Sequence, residues 1–472
     1  MRNNIVKNLS EGLHVYINID NFDSLLVNEE RNQRNIKHSL KLLNTFFVAI
    51  RRYTSQRFKF PGLHIEKVTG NRMHLYIEMN KEANYSKEKY AEELILLSIY
   101  AKKTIDCLND DISKLNSLDD AIISIGADYG KFRAFEFFDE KNNIDEETSI
   151  GFAANYACKL QIVVNSKNKL AVSKDVFSLF SKEICGYFVK EYSGSLVKYS
   201  QTEKGMFYSS SLNRLSNILD ELSIRAVFDS DVIKDIANSI NFSEMTFSRV
   251  RNKLNVNSLT EKDSKVFTGI ALFSDIRNFT SQFKDDDTNL KEKSSQAIKA
   301  ISSMINGVID FEGNHIQIQG DKEVAVFPLE YEPENGESIR DAVNCALTII
   351  DELRKIKLDA GIGMSYGDIY ASVIDVRGSR SNVILGESVT LGNKLEDDCA
   401  AANELVISKD LYDVLSKYKE SKYLCGYFTK RNYYYVTTKS FSDIRLNEEK
   451  KELDEETRNR SYYGVHFVDH KA

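Results

Sequence analysis

The chain has 472 residues, of which 42% are hydrophobic and 28% charged, and its formal net charge is −7. This length predicts two or three domains, because single hydrophobic cores rarely grow beyond about 250 residues. The acidic balance argues against a large nucleic-acid surface, and no apolar stretch approaches the roughly 20 residues that a membrane-spanning helix needs.

The N-terminal residues have no apolar segment of the kind that directs secretion. The six cysteines form no Cys-x-x-Cys pair, which is typical of free thiols in a reducing compartment. We therefore expect a cytoplasmic protein without a zinc site.

Several segments of the chain recur in the same order, between 235 and 257 residues apart. The pairs are VYINIDNF at 15–22 with LFSDIRNF at 272–279, IEKVTGNRMHLYI at 65–77 with IQIQGDKEVAVF at 316–327, GADYGKF at 126–132 with GMSYGDI at 363–369, VSKDVFSLFSK at 172–182 with ISKDLYDVLSK at 407–417, and ICGYFVK at 184–190 with LCGYFTK at 424–430. Matches in constant order indicate that one fold is duplicated within the chain, and small changes in spacing are typical of loop insertions.

The predicted elements follow the same order in both repeats. In the first repeat the strand VYINI, a helical stretch over 35–56, a hairpin turning at 69–71 and a helix over 87–108 precede the strand AIISIGADYG. In the second repeat the hairpin turns at Gln319-Gly320-Asp321, where glycine supplies a positive φ at little cost. Strands and helices in this order predict an α+β fold made of two ferredoxin-like domains.

The repeats divide the chain into a first domain over 1–208, a helical linker over 209–265, a second domain over 266–440 and a charged tail over 441–472. Within the linker, helical patches are predicted at 213–223 and 230–240. Residues 235–254 also loosely resemble a helix-turn-helix, with basic residues at 249–253 facing phosphate, so DNA binding is a rival function.

Two aspartates of the second repeat are candidate metal ligands. Asp275 ends an apolar strand, and Asp321 lies in the hairpin turn. In a core of this kind the two positions lie side by side, so the carboxylates could hold a pair of Mg²⁺ or Mn²⁺ ions that support phosphoryl transfer. Because Asp is also common next to Gly in ordinary turns, these residues alone leave a structural role open.

These aspartates belong to a longer pattern. FSDIRNFT at 273–280, followed about 40 residues later by QGD and an apolar strand, resembles the metal-binding segment of class III adenylyl and guanylyl cyclases. The family's next motif is approximately W-G-x-x-V-N-x-A-x-R-M-E, and it is similar to IGFAANYACKLQ at 150–161 and to LGESVTLGNKLE at 385–396. The resemblance spans both repeats and implies two nucleotidyl cyclase domains paired head to tail in one chain, as an intramolecular pseudo-heterodimer.

In this family one domain supplies both metal carboxylates, and its partner supplies the residues that read the base and stabilise the transition state. The resemblance therefore assigns two Mg²⁺ or Mn²⁺ ions to Asp275 and Asp321 of the second repeat. The first repeat has Asn18 and Asn71 at the matching positions. A neutral amide is a much poorer Mg²⁺ ligand than a carboxylate, so the first repeat is not expected to hold these metals.

The complementary positions of the family fall on the first repeat. They are the base-reading Lys67 and Thr148, the ribose-orienting Asn155, and the transition-state cation Lys159, which stands where the family usually has Arg. The counterparts in the second repeat are Gln317, Val383, Thr390 and Lys394. One composite site is thus expected to be complete and the other degenerate.

The phosphates of a nucleotide are expected at the end of the first strand of the second repeat, where the strand turns into a helix. The backbone N–H groups that would bind them belong to Ile276, Asn278, Phe279 and Thr280. Lys198 or Lys204 could hold the outer phosphates, and ordinary surface lysines are the plain alternative.

The resemblance implies an enzyme that converts a nucleoside triphosphate to a 3′,5′-cyclic nucleotide and diphosphate, whose product acts on a cyclic-nucleotide-binding effector. The Lys67/Thr148 pair resembles that of some bacterial adenylyl cyclases and differs from the Glu/Cys pair of guanylyl cyclases, which favours ATP. The alternatives are a UTP or CTP cyclase of an antiphage Pycsar system and an inactive nucleotide sensor. A diguanylate cyclase is disfavoured because the turn at 319–323 lacks paired glycines.

Overall fold

The structure is a computed structural model that describes residues 2–31, 36–56, 63–79, 86–142, 144–199, 204–218, 228–239, 248–251, 253–259, 264–279, 290–330, 336–375 and 380–451. Within these residues the chain forms two mixed sheets with the same strand order, each accompanied by helices. The predicted α+β class and the duplication are therefore confirmed.

The first repeat contains eight strands in its sheet. They are β1 (Arg2–Ile19), β2 (Leu63–Thr69), β3 (Arg72–Glu78), β4 (Ile123–Asp139), β5 (Ile144–Ile150), β6 (Lys169–Val172), β7 (Val189–Tyr192) and β8 (Met206–Ser211). The accompanying helices are α1 (Phe22–Arg31), α2 (Lys37–Gln56), α3 (Lys87–Leu108), α4 (Phe152–Val163), α5 (Lys174–Phe177), α6 (Lys182–Cys185) and α7 (Leu212–Ser216). The strand order is β2-β3-β1-β4-β6-β8-β7, and β5 pairs with β4.

The second sheet repeats this arrangement with one additional short strand. A helix between the repeats, α8 (Ser230–Ser239), precedes β9 (Ser248–Arg249), β10 (Lys265–Ile276), β11 (Asn314–Gln319), β12 (Lys322–Pro328), β13 (Ala360–Asp375), β14 (Arg380–Leu385), β15 (Glu404–Ser408), β16 (Thr429–Arg431) and β17 (Tyr434–Thr437). The helices are α9 (Leu290–Asp310), α10 (Glu337–Lys355), α11 (Glu387–Lys394), α12 (Lys409–Lys417) and α13 (Lys419–Lys422). The order is β11-β12-β10-β13-β15-β17-β16, with β14 on β13 and β9 on β10.

Apolar residues alternate along β1, the central strand of the first sheet, and their side chains pack against the helices on one face. Leu13, Val15 and Ile17 are two residues apart along β1, so they point to one face, and all are fully buried. On that face they belong to the same core as Phe47 of α2 and Leu94 of α3. This packing fixes β1 in place. Ile270 and Leu272 of β10 are buried in the same way in the core of the second repeat.

The two hairpin turns have the predicted positions. β2 ends at Thr69 and β3 begins at Arg72, while β11 ends at Gln319 and β12 begins at Lys322. Gly70 and Gly320 adopt positive φ values of 56° and 71°, which glycine accepts without steric cost. The second turn holds Asp321 directly before β12.

The segment between the repeats is divided between the two domains. β8 continues three residues past residue 208, to Ser211, and the apolar residues of α7 and α8 are buried in the first core. The predicted linker therefore begins inside a strand. Part of the predicted helical patches, at 219–223 and 240, lies outside the described residues.

The helix-turn-helix interpretation is wrong where the structure tests it. Arg249 lies in β9, a strand that pairs with β10, and its guanidinium donates to Asp368 Oδ1 at 3.1 Å. The pairing with β10 gives this segment the backbone hydrogen bonds of a strand. Residues 240–247 lie outside the described part of the chain.

The tail begins as a helix over 441–451 that lies against the second domain, where Ile444 is buried in the core. The residues from 452 onward lie outside the described part. Among the described helices, none combines the length and apolar character needed to cross a bilayer.

The two repeats exchange apolar residues across their interface. Phe135 and Phe137 of β4 and Ile150 of β5 belong to the core of the second repeat. In return, Val383 and Leu385 of β14 belong to the core of the first. The two repeats are thus held together by strands β4 and β5 of the first and β14 of the second, which pack into the opposite core. This arrangement brings α4 and the end of β10 to one cavity.

Candidate active site

A cavity of about 210 Å³ lies between the repeats. Its wall includes Asp275 and Asp321 from the second repeat together with Lys67, Asn155 and Lys159 from the first. Five of the residues predicted for one composite site therefore face the same space.

The two carboxylates come from adjacent parts of the second sheet. Asp275 is opposite Lys322 of β12 in the ladder, and Asp321 immediately precedes that lysine. Burial, and then repulsion by Asp275, raises the pKa of Asp321 well above its ordinary value. A divalent cation fits this pair, because it would relieve both the repulsion on Asp321 and the cost of burying its charge.

An arginine is fixed beside this pair. Arg277 Nη1 lies 3.2 Å from Asp275 Oδ2, while Nη2 donates to the backbone carbonyls of Glu396 at 2.7 Å and Ala400 at 2.9 Å. A Cβ added to Gly361 would lie 1.9 Å from the guanidinium, so only glycine leaves room for it. The position of Asp275 is therefore set by the neighbouring strand and by the turn that follows α11.

Lys322 is a second cation beside the carboxylate pair, and it lines the cavity. Its Nζ contacts Glu396 and lies 2.7 Å from Asp397 Oδ1 and 3.2 Å from Asn393 Oδ1. Burial acts against the charged ammonium, but Glu396 and Asp397 raise the pKa of Lys322 above its ordinary value. Lys322 is consequently cationic, and it connects β12 to the end of α11.

Asn155 of α4 lies against the turn of the other repeat. Its Oδ1 would be 3.1 Å from a Cβ added to Gly320. The side chain is buried, and Nδ2 has no hydrogen-bond partner among the described residues. A buried donor without a partner next to Asp321 is suited to a ligand oxygen.

Lys159 lies one helical turn after Asn155, on the same face of α4. Burial acts against its charge, yet attraction from Cys158, Asp275, Tyr199 and Asp321 raises the pKa of Lys159 above its ordinary value. Its Nζ is 6.0 Å from the centre of the Tyr199 ring. The ammonium is thus charged and close to the two carboxylates of the other repeat.

The other candidate cations differ in position. Lys198 and Lys204 are both exposed, and neither forms part of the cavity wall. Their assignment to the outer phosphates stays a prediction.

The two base-reading candidates are not equivalent in the structure. Lys67 lines the cavity and donates from Nζ to the backbone carbonyl of Ile318 at 2.7 Å, across the interface. Thr148 is buried in β5 outside the cavity wall, and its Oγ1 has no hydrogen-bond partner among the described residues.

The predicted phosphate-binding segment is only partly described. Ile276 and Phe279 bury their side chains in the core, and Asn278 adopts a positive φ of 62°. None of the three forms part of the cavity wall, and Thr280 lies outside the described residues. Phosphate binding here stays a prediction.

The opposite composite site has no carboxylate at the positions that match Asp275 and Asp321. Asn18 Nδ2 donates to Asp20 Oδ1 at 2.9 Å, and Asn71 Nδ2 donates to the carbonyl of Ile19 at 2.7 Å, so both amides bond within their own repeat. Of the counterparts, Gln317 and Thr390 line the cavity, whereas Val383 is buried in the first core and Lys394 is exposed.

The sequence did not single out Arg277, Lys322 or Glu396, which lie near the carboxylate pair of Asp275 and Asp321. Each lies within two residues of a residue that it did single out: Asp275, Asp321 and Lys394 respectively. A charged residue next to a strand end usually points to solvent, so proximity in sequence was the only available signal.

Comparisons with known proteins support the fold. No family model and no curated protein matches the chain by sequence. Among solved structures, a class III adenylyl cyclase-like ATP-binding protein from Pseudomonas aeruginosa is 17% identical, with a TM-score of 0.63 over 86% of this chain and 85% of that chain.

Single cyclase domains also match. The adenylyl cyclase CyaB from P. aeruginosa is 17% identical, with a TM-score of 0.30 over 33% of this chain and 83% of that chain. The guanylate cyclase domain of RhGC from Catenaria anguillulae, solved with GTP, is 21% identical, with a TM-score of 0.30 over 37% of this chain and 100% of that chain.

Proposed function

We propose that this chain, which has the class III nucleotidyl cyclase fold twice, converts a nucleoside triphosphate to a 3′,5′-cyclic nucleotide and diphosphate at one composite site. ATP is the favoured substrate. The second repeat supplies the metal carboxylates, and the first supplies the groups that hold the base and stabilise the transition state.

The uneven distribution of charge around the cavity carries this proposal. Asp275 and Asp321 share the cavity wall with Asn155 and a charged Lys159 from the other repeat. The matching positions of the opposite side hold amides that bond within their own repeat, and an exposed lysine. A fold retained only for its shape would have no reason to keep both carboxylates opposite the amide and the buried lysine of the same composite site.

The roles of the side chains follow from their charge and position. Two Mg²⁺ or Mn²⁺ ions held by Asp275 and Asp321 would lower the pKa of the ribose 3′-hydroxyl and neutralise the triphosphate. Lys159 would stabilise negative charge on the phosphoryl oxygens, with less directional contacts than an arginine. Asn155 Nδ2 would donate to the ribose and so orient the attacking hydroxyl.

The preference for ATP depends first on Lys67, which lines the cavity and whose ammonium donates, as suits a ring nitrogen of adenine. Thr148 lies outside the cavity wall, so its part in base recognition rests on the resemblance alone. A UTP or CTP cyclase that signals to a defence effector is the alternative substrate class, and a nucleotide-binding protein without turnover is the alternative function.

The test is incubation of the purified chain with Mn²⁺ and each of the four nucleoside triphosphates, followed by chromatography of the products. We expect cyclic AMP and diphosphate in equal amounts. A cyclic pyrimidine nucleotide would replace ATP as the substrate and would direct the search for an effector. Binding without any cyclic product from the four nucleotides would overturn the enzymatic proposal.

A further inference from the structure

A β-bulge in the first repeat gives the base-reading lysine a carboxylate neighbour. Ile65 pairs with Leu75 and Lys67 pairs with His74, so Glu66 is the additional residue of β2. In a regular strand adjacent side chains point to opposite faces, and a bulge removes this restriction. Glu66 Oε1 accordingly lies 3.4 Å from Lys67 Nζ, and both side chains are buried.

Glu66 also binds the strand that carries the second base-reading position. Its Oε1 accepts the backbone N–H of Ser149 at 3.0 Å, and its Oε2 accepts the Ser149 hydroxyl. Ser149 directly follows Thr148 in β5. One carboxylate therefore spans the gap between Lys67 and the backbone next to Thr148.

Two histidines complete the surroundings of this carboxylate. His74 Nδ1 lies 3.1 Å from Glu66 Oε1, and His74 Nε2 lies 3.1 Å from Nδ1 of His14. Burial, and then the neighbouring His74, lowers the pKa of His14 to about 3, so His14 is neutral at physiological pH. Burial opposes the charge of Glu66, but His74 and Lys67 outweigh it and hold the pKa of this carboxyl well below its usual range. We call His14, Glu66, His74 and Ser149 the Glu66 cluster.

The second repeat shows that the fold does not require this cluster. The equivalent bulge lies between His315 and Gln317, and the residues that match the Glu66 cluster are Ala271, Ile316, Val324 and Ile384. These four residues are buried together in one apolar cluster. Burying polar groups costs free energy that apolar packing avoids, so their presence on the side of Lys67 alone needs a functional reason.

Three members of the Glu66 cluster, His14, Glu66 and His74, have ligand atoms close enough together for a metal ion. The contacts favour hydrogen bonding instead. Lys67 Nζ, 3.4 Å from Oε1, already supplies positive charge, and Ser149 occupies both carboxylate oxygens.

We propose that Glu66 is a positioning residue that sets the nucleobase selectivity of the composite site. It fixes the Lys67 ammonium at the cavity wall and ties it to the backbone beside Thr148. The lysine has three N–H donors. One donates to Ile318 O and a second faces Glu66, which leaves a third for a base in the cavity. This inference rests on the proposed function, since it assumes that the cavity holds a nucleotide.

The experiment compares the full chain with the variant Glu66→Gln, which keeps the size of the side chain and removes its charge. Kinetics with the four nucleoside triphosphates and Mn²⁺ give KM and kcat, and competition with their 3′-deoxy analogues, which cannot cyclise, gives binding. We expect KM for the preferred nucleotide to rise roughly tenfold or more, because the salt bridge between Glu66 and Lys67 is lost and the ammonium is no longer held in place for the base. We also expect kcat to change by less than about threefold, because Asn155 and Lys159 remain in place. The preference among the four analogues should shrink by a similar factor to the change in KM.

Glu29→Gln is the matched control. Glu29 is a buried carboxylate of the same repeat that also accepts from a histidine and from a backbone N–H of a serine, at 2.9 Å and 2.8 Å. It forms no part of the cavity wall. This variant should lose thermal stability and keep the base preference of the wild type.

Equal base preference in the wild type and in Glu66→Gln would overturn the inference and leave the cyclase proposal intact. If the wild type binds the analogues but forms no cyclic product, the cyclase proposal fails, and the binding preference still decides the role of Glu66. A wild type that binds none of the four analogues overturns both.

Discussion

Asn155 buries an amide nitrogen, Nδ2, for which the described residues offer no partner. Leaving such a donor unsatisfied costs about 1–3 kcal/mol, which a ligand oxygen would recover. The same helix places Lys159 one turn further on, charged and close to Asp275 and Asp321. At the scale of single residues, a ligand in the cavity would thus supply the partner that Asn155 Nδ2 lacks among the described residues.

Replacing Asn155 by Ala should lower kcat roughly tenfold to a hundredfold and change KM less, because the amide would act on the orientation of the ribose in the transition state. Steady-state kinetics with the preferred nucleotide measure this. Thr390→Ala alters the equivalent position of the degenerate side and should leave both constants near those of the wild type. Similar losses in the two variants would contradict the assignment.

Asp128 makes stability depend on pH. Burial raises the pKa of this carboxyl from its ordinary 3.8 to about 7. The folded chain therefore binds this proton more tightly than the unfolded chain, and the resulting stabilisation is complete below about pH 4 and lost as the pH rises to about 7.

Asp128→Asn should remove this part of the pH dependence. Between pH 4 and 7, the unfolding free energy of the variant should fall by about 1–4 kcal/mol less than that of the wild type. Denaturant unfolding at several pH values provides the comparison. Parallel curves for the two proteins would show that Asp128 is not the group responsible.

At the scale of secondary structure, the site depends on how closely helices approach the central strands. A Cβ added to Gly126 of β4 would lie 2.2 Å from the carbonyl oxygen of Ala157 and from the N–H nitrogen of Gln161 in α4. The second repeat has the same arrangement, with Gly363 of β13 against α11. These glycines set the position of the helices that carry Asn155 and Thr390.

Gly126→Ala should displace α4 and with it Asn155 and Lys159. We expect a loss of about 1–3 kcal/mol in stability, as for other overpacked contacts, together with a fall in kcat. Gly194→Ala is the control, because an added Cβ there meets no atom within 4 Å. An unchanged kcat in Gly126→Ala, at a temperature where the variant is folded, would show that activity does not depend on the position of α4.

The sequence predicts features that follow from local rules. The hairpin turns could be placed because a glycine marks each one, and the order of elements because both repeats show it. The Glu66 cluster could not be predicted, since a bulge breaks the alternation from which buried faces are inferred. Thr148 was assigned by resemblance, and the structure places it behind the cavity wall because β5 buries it.

The contacts of Arg277 and Lys322 were also beyond reach of the sequence. Both reach the end of α11, more than 70 residues away along the chain. Only the packing of α11 on β10 and β13 shows that Glu396, just after this helix, neutralises the charges of Arg277 and Lys322 inside the protein.

At the scale of the whole molecule, residues of the first repeat bind the hairpin of the second repeat that carries Asp321. Ile318 of β11 accepts from Lys67 at its carbonyl and donates from its N–H to Glu146 at 3.3 Å. His315 of the same strand lies 3.8 Å from Glu146. Together with the exchanged strands β4, β5 and β14, these contacts hold the cavity-lining residues of both repeats on the same cavity.

An intramolecular site predicts that two impaired variants cannot complement each other. A mixture of full-length Asp275→Ala and Asn155→Ala should show no more activity than the sum of the two variants alone, because each chain carries one defect in its only complete site. Activity of the mixture above that sum would instead indicate a site shared between two chains.

The most direct test of the single composite site is the rate of cyclic nucleotide formation in Asp275→Ala and Asn18→Ala, which change matching positions of the two repeats. Asp275→Ala should lose at least about a hundredfold in kcat, since a carboxylate ligand of the metals is removed. Asn18→Ala should keep kcat within about threefold of the wild type, since its amide bonds only within its own repeat. Equal losses in the two variants, or full activity in Asp275→Ala, would contradict the division of labour between the repeats.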